Sequence, residues 1–166
     1  MLKRLILAIM IALPMSLFAQ KFAVINTATI MEAMPEIKTM NEQLEAASKK
    51  YQDEFTNLQN EFRKKYEEFQ TLNNDPNTPQ TIKDRRTQEM QELDTKLQQF
   101  QQTASQDMQR QQQQLLAPIQ EKVIKAIQAI GAEGAYTFVF ENQMPIYTGT
   151  DVTDITDAVK TRLGIQ

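Results

Sequence analysis

The sequence predicts an α+β fold in which a long antiparallel α-helical coiled-coil hairpin, an arm, is inserted in a small β-containing body. Three observations predict it. Apolar residues recur at steps of three and four through most of residues 37–72 and again through 90–108. Between these stretches, "NNDPNTPQ" (73–80) gathers turn residues that cannot continue a helix. Short apolar runs suited to buried strands, "FAVIN" (22–26) and "TFVF" (137–140), stand far apart at the two ends of the chain.

The chain opens on "MLKRLILAIMIALPMSLFA", with Lys3 and Arg4, an apolar run from Leu5 and small residues near Ala19. That order of charge, apolar core and small residues predicts a secretory signal peptide over residues 1–19, cleaved after Ala19. Pro14 interrupts an apolar run already short for a membrane span. "FAVIN" is then read as a strand, and "TATIMEAM" as a short helix with Thr27 as its cap. Pro35 is well placed as the first residue of a new helix. From there Ile37, Leu44, Tyr51, Leu58 and Leu72 share one heptad line, with Lys65 its only polar member. Met40 and Ala47 lie three residues after that line, whereas Phe55, Phe62 and Phe69 lie four after it, which moves the second line by about 100° around the helix.

Beyond the turn, Met90, Leu93, Leu97, Phe100, Ala104 and Met108 resume the period, so two helices of about 38 residues come back antiparallel. Gln111, in the Gln-rich stretch 98–114, takes a seam position where an apolar residue is expected. Pro35 and Pro118 are nearly equidistant from Pro76 and are read as opposite each other at a hinge between arm and body. Pro118 removes a hydrogen bond and is expected to bend the rod. "YTFVFE" and "PIYT" are read as a hairpin pairing with "FAVIN". A closing helix is expected from Asp154, with Asp157 three residues on in a capping-box-like arrangement. The predicted organisation is therefore a signal peptide (1–19), a body (20–34 plus 118–166) and an arm (35–117) with its tip at 73–80.

Composition excludes more than it assigns. The chain has no histidine and no cysteine, which removes the commonest general base, the thiol nucleophile and most zinc sites. Four glycines, none in a Gly-rich run, leave no phosphate-binding loop. An enzyme is not expected, nor is any cofactor. The net charge of −3 becomes two units more negative without Lys3 and Arg4, which disfavours a nucleic-acid partner. The body is small, and its strands are apolar on both faces, so it is expected to oligomerise through its sheet.

Two groups of arm residues stand out. Tyr51, Phe55, Phe62, Tyr66, Phe69, Met90 and Phe100 either fill the hairpin's own core or offer apolar surface to an unfolded client. Arg63, Lys64, Lys65, Lys83, Arg85 and Arg86 cluster near the tip. They either pair locally with Glu67, Glu68, Asp75 and Asp84 or form a positive end for anionic lipid or acidic client segments.

The order strand, short helix, long hairpin, "YTFVFE…PIYTGTDVTDIT" and closing helix resembles the Skp/OmpH family of periplasmic chaperones of Gram-negative bacteria. The likeness is most specific in "FAVIN" with its following helix and in "DVTDIT" (151–156). It implies a homotrimer whose bodies join by intermolecular β-pairing. It also implies a cavity between three arms that holds unfolded outer-membrane proteins in the periplasm without ATP. The chain departs from the better-known, strongly basic members in being acidic. A structural coiled-coil spacer of the envelope is the alternative reading, and a nucleic-acid-binding protein a more distant one.

Overall fold

The computed structural model describes residues 20–165, so the expected signal peptide lies outside the described residues. The elements are β1 (Lys21–Ile25), α1 (Thr27–Ala33), α2 (Pro35–Asn74), α3 (Gln80–Glu133), β2 (Tyr136–Glu141), β3 (Thr153–Asp154) and α4 (Thr156–Leu163). They fall into two compact units, Pro35–Gln120 and the remainder. The architecture is the expected one, a long helical hairpin inserted in a small β-containing body. No helix among the described residues is long and apolar enough to cross a membrane.

In the arm, α2 runs 40 residues, about 60 Å at 1.5 Å per residue. It starts at Pro35, as expected from the ring's fixed φ and missing donor. The tip closes on Asp75, whose carboxylate accepts from the Asn77 N–H at 2.9 Å and the Thr78 hydroxyl at 3.3 Å. The antiparallel register shows in the cross-helix pairs. Lys83 Nζ donates to the Asn73 carbonyl near the tip, Phe55 stacks on Phe100 midway, and Met40 lies across a groove from Leu115 at the other end. Helix α3 is longer than predicted because it runs through Pro118 to Glu133 without interruption. Pro118 is exposed, and its ring leaves the Gln114 carbonyl without an i+4 donor.

Both predicted apolar lines of α2 lie in one half-buried stripe, with Met40 and Leu58 buried. The stripe steps four residues twice in succession, Ala47 to Tyr51 to Phe55, and then returns to alternating steps of three and four. This is a stutter, which locally unwinds the supercoil and keeps the displaced line within the seam.

The body departs from the predicted hairpin. Its strand order is β2-β1-β3, and both pairings are parallel. The second partner of β1 is Thr153–Asp154, and "PIYT" stays outside the sheet. The physical reason lies one residue on. Ile155 and Val159 are buried, and the Ile155 N–H bonds to the Val24 carbonyl at 2.9 Å, so burial of α4's apolar side draws 153–154 against β1. Pro145 offers no donor for a ladder.

Two caps also differ. Asn26, not Thr27, caps α1, its side chain accepting from the Thr29 N–H at 2.9 Å. The Thr27 N–H instead donates to Glu141 Oε1, and the Asn26 N–H to Thr156 Oγ1, both at 2.9 Å. Side chains from two distant segments thus lock the end of β1. The closing helix starts at Thr156 rather than Asp154. Asp154 stays in the strand and accepts from the Thr156 N–H at 2.8 Å, while Asp157 lies in the first turn, where the macrodipole favours it.

Candidate functional site

Strand alternation divides the body sheet into two unlike faces. Ala23, Ile25 and Val139 share one, and Ala23 and Ile25 belong to a buried core with Ile30, Met34, Ile155 and Val159. Phe22, Val24, Phe138 and Phe140 share the other. There Phe22 lies 6.2 Å from Phe138 and 6.4 Å from Phe140, centroid to centroid. This second face stays open: Phe138 is 55% exposed and Phe140 40%. The loop after β2 continues it, with Ile146 107% and Tyr147 84% exposed. Together Phe22, Val24, Phe140, Met144, Pro145 and Tyr147 line an open apolar cleft of about 370 Å³. Large apolar groups left in water on one contiguous surface mark an interaction site.

The arm carries a second surface. Tyr51, Phe55 and Phe100 form one cluster across the hairpin, with Phe100 6.2 Å from Tyr51 and 6.4 Å from Phe55. The Tyr51 hydroxyl donates to Asp107 Oδ2 at 3.2 Å. Burial first, and then the Asp107 carboxylate, push that hydroxyl's pKa up. Beside this tie Gln111 is half-buried and lines a groove with Gln43, Ala47 and Tyr51. Nearer the tip, Tyr66 is 45% exposed and lies between half-buried Phe62 and Phe69 on its own helix. Met90 is half-buried. The seven arm residues therefore sort into a cross-helix core at Tyr51, Phe55 and Phe100, a ladder along α2 at Phe62, Tyr66 and Phe69 of which Tyr66 alone is exposed, and Met90.

The basic tip is tied down, mostly by partners other than those expected. Lys65 pairs with Glu68 at 3.7 Å, while Arg85 and Arg86 both pair with Glu89. Lys83 donates to the Asn73 carbonyl, and Arg63 to Asn60. Lys64 makes no ion pair among the described residues. The hydrogen bond from Arg86 holds the Glu89 carboxyl below its ordinary range. Among the described residues no cluster of acidic side chains is arranged to hold a metal ion.

Individual residues of the open body face escape sequence reasoning. The two-sided apolar strands signal an interface, but reading "PIYT" as a strand hides the exposure of Ile146 and Tyr147, and Met144 carries no signal of its own. The available clue is Pro145 in the middle of "QMPIYTG", which argues against a ladder strand and for an exposed apolar loop.

A family model described as "Outer membrane protein (OmpH-like)" matches residues 21–163. No curated protein matches the sequence. A crystal structure from Caulobacter crescentus CB15, of a protein assigned as an OmpH-like outer membrane chaperone, superposes with a TM-score of 0.74. The match covers 87% of this chain and 83% of that one at 13% identity. The likeness is one of fold.

Proposed function

Because this chain belongs to the OmpH-like family, we propose that it is an ATP-independent holdase chaperone of the periplasm, exported by a signal peptide removed after Ala19. In this reading the body makes a homotrimer through its open sheet face. The three arms then enclose a space in which unfolded outer-membrane proteins are kept from aggregating. Pro35 and Pro118 mark the hinge between arm and body. The half-exposed aromatics of the arm contact the client, and the basic tip meets anionic lipid or acidic client segments. The chain performs no catalysis and holds no nucleic acid.

The observation that carries the reading is the pairing of two incompletely buried apolar surfaces in one chain, the Phe138–Tyr147 face of the body and the aromatic stripe of the arm. Contacts of this kind are shallow, weak and repeated. Three arms convert them into useful affinity through effective concentration, without a nucleotide cycle.

Diluting a urea-unfolded β-barrel outer-membrane protein into nucleotide-free buffer tests this directly by light scattering. Aggregation is expected to be suppressed at near-equimolar trimer, and to return when matching heptads are removed from both arm helices. Unchanged aggregation removes the holdase reading. Protection that survives arm shortening leaves the arms as spacers.

A further inference from the structure

The apolar cleft of the body lies where the chain enters it. Strand β1 begins at Lys21, and the next residue, Phe22, lines the cleft with Val24, Phe140, Met144, Pro145 and Tyr147. Its loop side stands in water, with Met144 74% and Tyr147 84% exposed. Ala19, the last residue of the expected signal peptide, stands three positions before Phe22.

The stretch that ends there is the most apolar of the chain. Residues 5–13 form an unbroken apolar run of nine, and no charge stands between Arg4 and Lys21. Leu13 lies nine positions from Phe22, a reach of up to about 30 Å. The six residues of β2 extend only about 20 Å. The run can therefore be laid along any part of the open face without moving the sheet. Carried on the same chain, it meets the cleft at an effective concentration of about millimolar. A second copy competes only at its bulk concentration, which is far lower.

We infer that, until it is removed, the apolar run of residues 5–13 occupies the cleft of its own body and keeps the chain from associating. The inference goes beyond the holdase reading, and rests on its signal peptide and on its use of the open face for the trimer. Removal is hydrolysis of the Ala19–Gln20 peptide bond by a peptidase. Water adds across the bond, leaving a carboxylate on Ala19 and an amine on Gln20. The freed peptide loses its effective concentration and is diluted away, and a second copy takes the cleft. Assembly is thereby timed to processing, and a chain awaiting export stays single.

The test compares the full-length chain, made by cell-free synthesis without peptidase, with the same chain after treatment with signal peptidase and removal of detergent. Sedimentation velocity should show a monomer before processing and a trimer after it. The concentration needed for assembly should fall about a hundredfold on processing. Ile6→Asn with Ile9→Asn should let the unprocessed chain assemble as the processed one does. A photoreactive benzophenone side chain in place of Ile9 should cross-link, within one chain, to the peptide spanning residues 138–147. An unprocessed chain that forms trimers at the same concentration as the processed one overturns the inference. So does one that sediments as larger particles, because its run is then not sheltered on its own body. Cross-links confined to other segments, or formed only between chains, overturn it as well. A processed chain that stays monomeric sinks the trimer reading, and failure to cleave after Ala19 sinks the signal-peptide reading. In both cases the cross-link within one chain still decides whether the run sits in the cleft.

Discussion

Ala135 adopts a φ of 52° just after α3, a conformation that costs an L-residue with a Cβ roughly 1–2 kcal/mol. Gly134 stands one position earlier, and a Cβ there would lie 2.2 Å from the Tyr136 ring. The glycine is therefore kept for the ring, and the strained turn falls to alanine. Ala135→Gly should relieve the strain against the roughly 0.5–1 kcal/mol that glycine loses in chain entropy. The expected gain is up to about 1 kcal/mol in urea unfolding, and a loss of stability would show that the turn relaxes in solution. At the arm tip, Glu89 accepts from Arg86, which lowers its pKa from the ordinary 4.5. A carboxyl lowered on folding stabilises the native state above its unfolded pKa, and that contribution is lost as pH falls through the folded value. Glu89→Gln should therefore melt slightly below the parent at pH 7, and the two should converge in acid below 4.5. The pair is half-exposed, so solvent screening keeps the difference small. A gap that persists at the lowest pH would point to a packing effect instead.

At the scale of elements, the arm is legible in the sequence and the small sheet is not, for one physical reason. A helix repeats its signal: Leu44, Tyr51, Leu58 and Leu72 each restate the same face, and the Asp75–Pro76 turn interrupts it sharply. A two-residue strand such as Thr153–Asp154 repeats nothing. Its place is set by the burial of the next residues in the chain, Ile155 and Val159, which no strand propensity encodes. "PIYT" resembles a strand more closely only if its apolar residues are buried, yet Ile146 is fully exposed. The arm aromatics are legible as a set but not in their division, because steps of three and four do not say which rings meet Phe100 across the hairpin and which stack along α2. That division yields a prediction. Phe62→Leu with Phe69→Leu keeps an apolar seam, so helicity by circular dichroism should hold while affinity for an unfolded β-barrel protein falls several-fold at any salt concentration. Lys83→Gln with Arg85→Gln and Arg86→Gln should have a weaker effect that fades as salt screens it, since these charges already have partners within the arm. A salt-sensitive loss in the leucine variant would mean that the rings act by placing charges.

For the whole molecule, the trimer proposed above makes the open face of the sheet decide whether three arms act together. A sheet covered on one side only, with Phe138 and Phe140 about half exposed, gives a body whose rings each stand to gain about 1 kcal/mol on burial, roughly half the worth of a full one. In the trimer proposed above, a second and third copy would supply that burial. A glutamate at position 138 would have to be buried without a partner in such an assembly, at a cost of several kcal/mol per ion after relaxation. In the free chain it would simply stand in water. Phe138→Glu should therefore leave the helical content intact and shift the full-length protein from trimer to monomer in sedimentation velocity. The consequence for holding comes through effective concentration. Separate arms bind clients one contact at a time, so protection of an unfolded β-barrel protein should fall by about 10²–10⁴ in apparent affinity. A Phe138→Glu protein that remains trimeric would move the interface to another surface of the body. A monomer that protects as well as the parent would show that one arm suffices, and the enclosed space between three arms would no longer be needed to explain the activity.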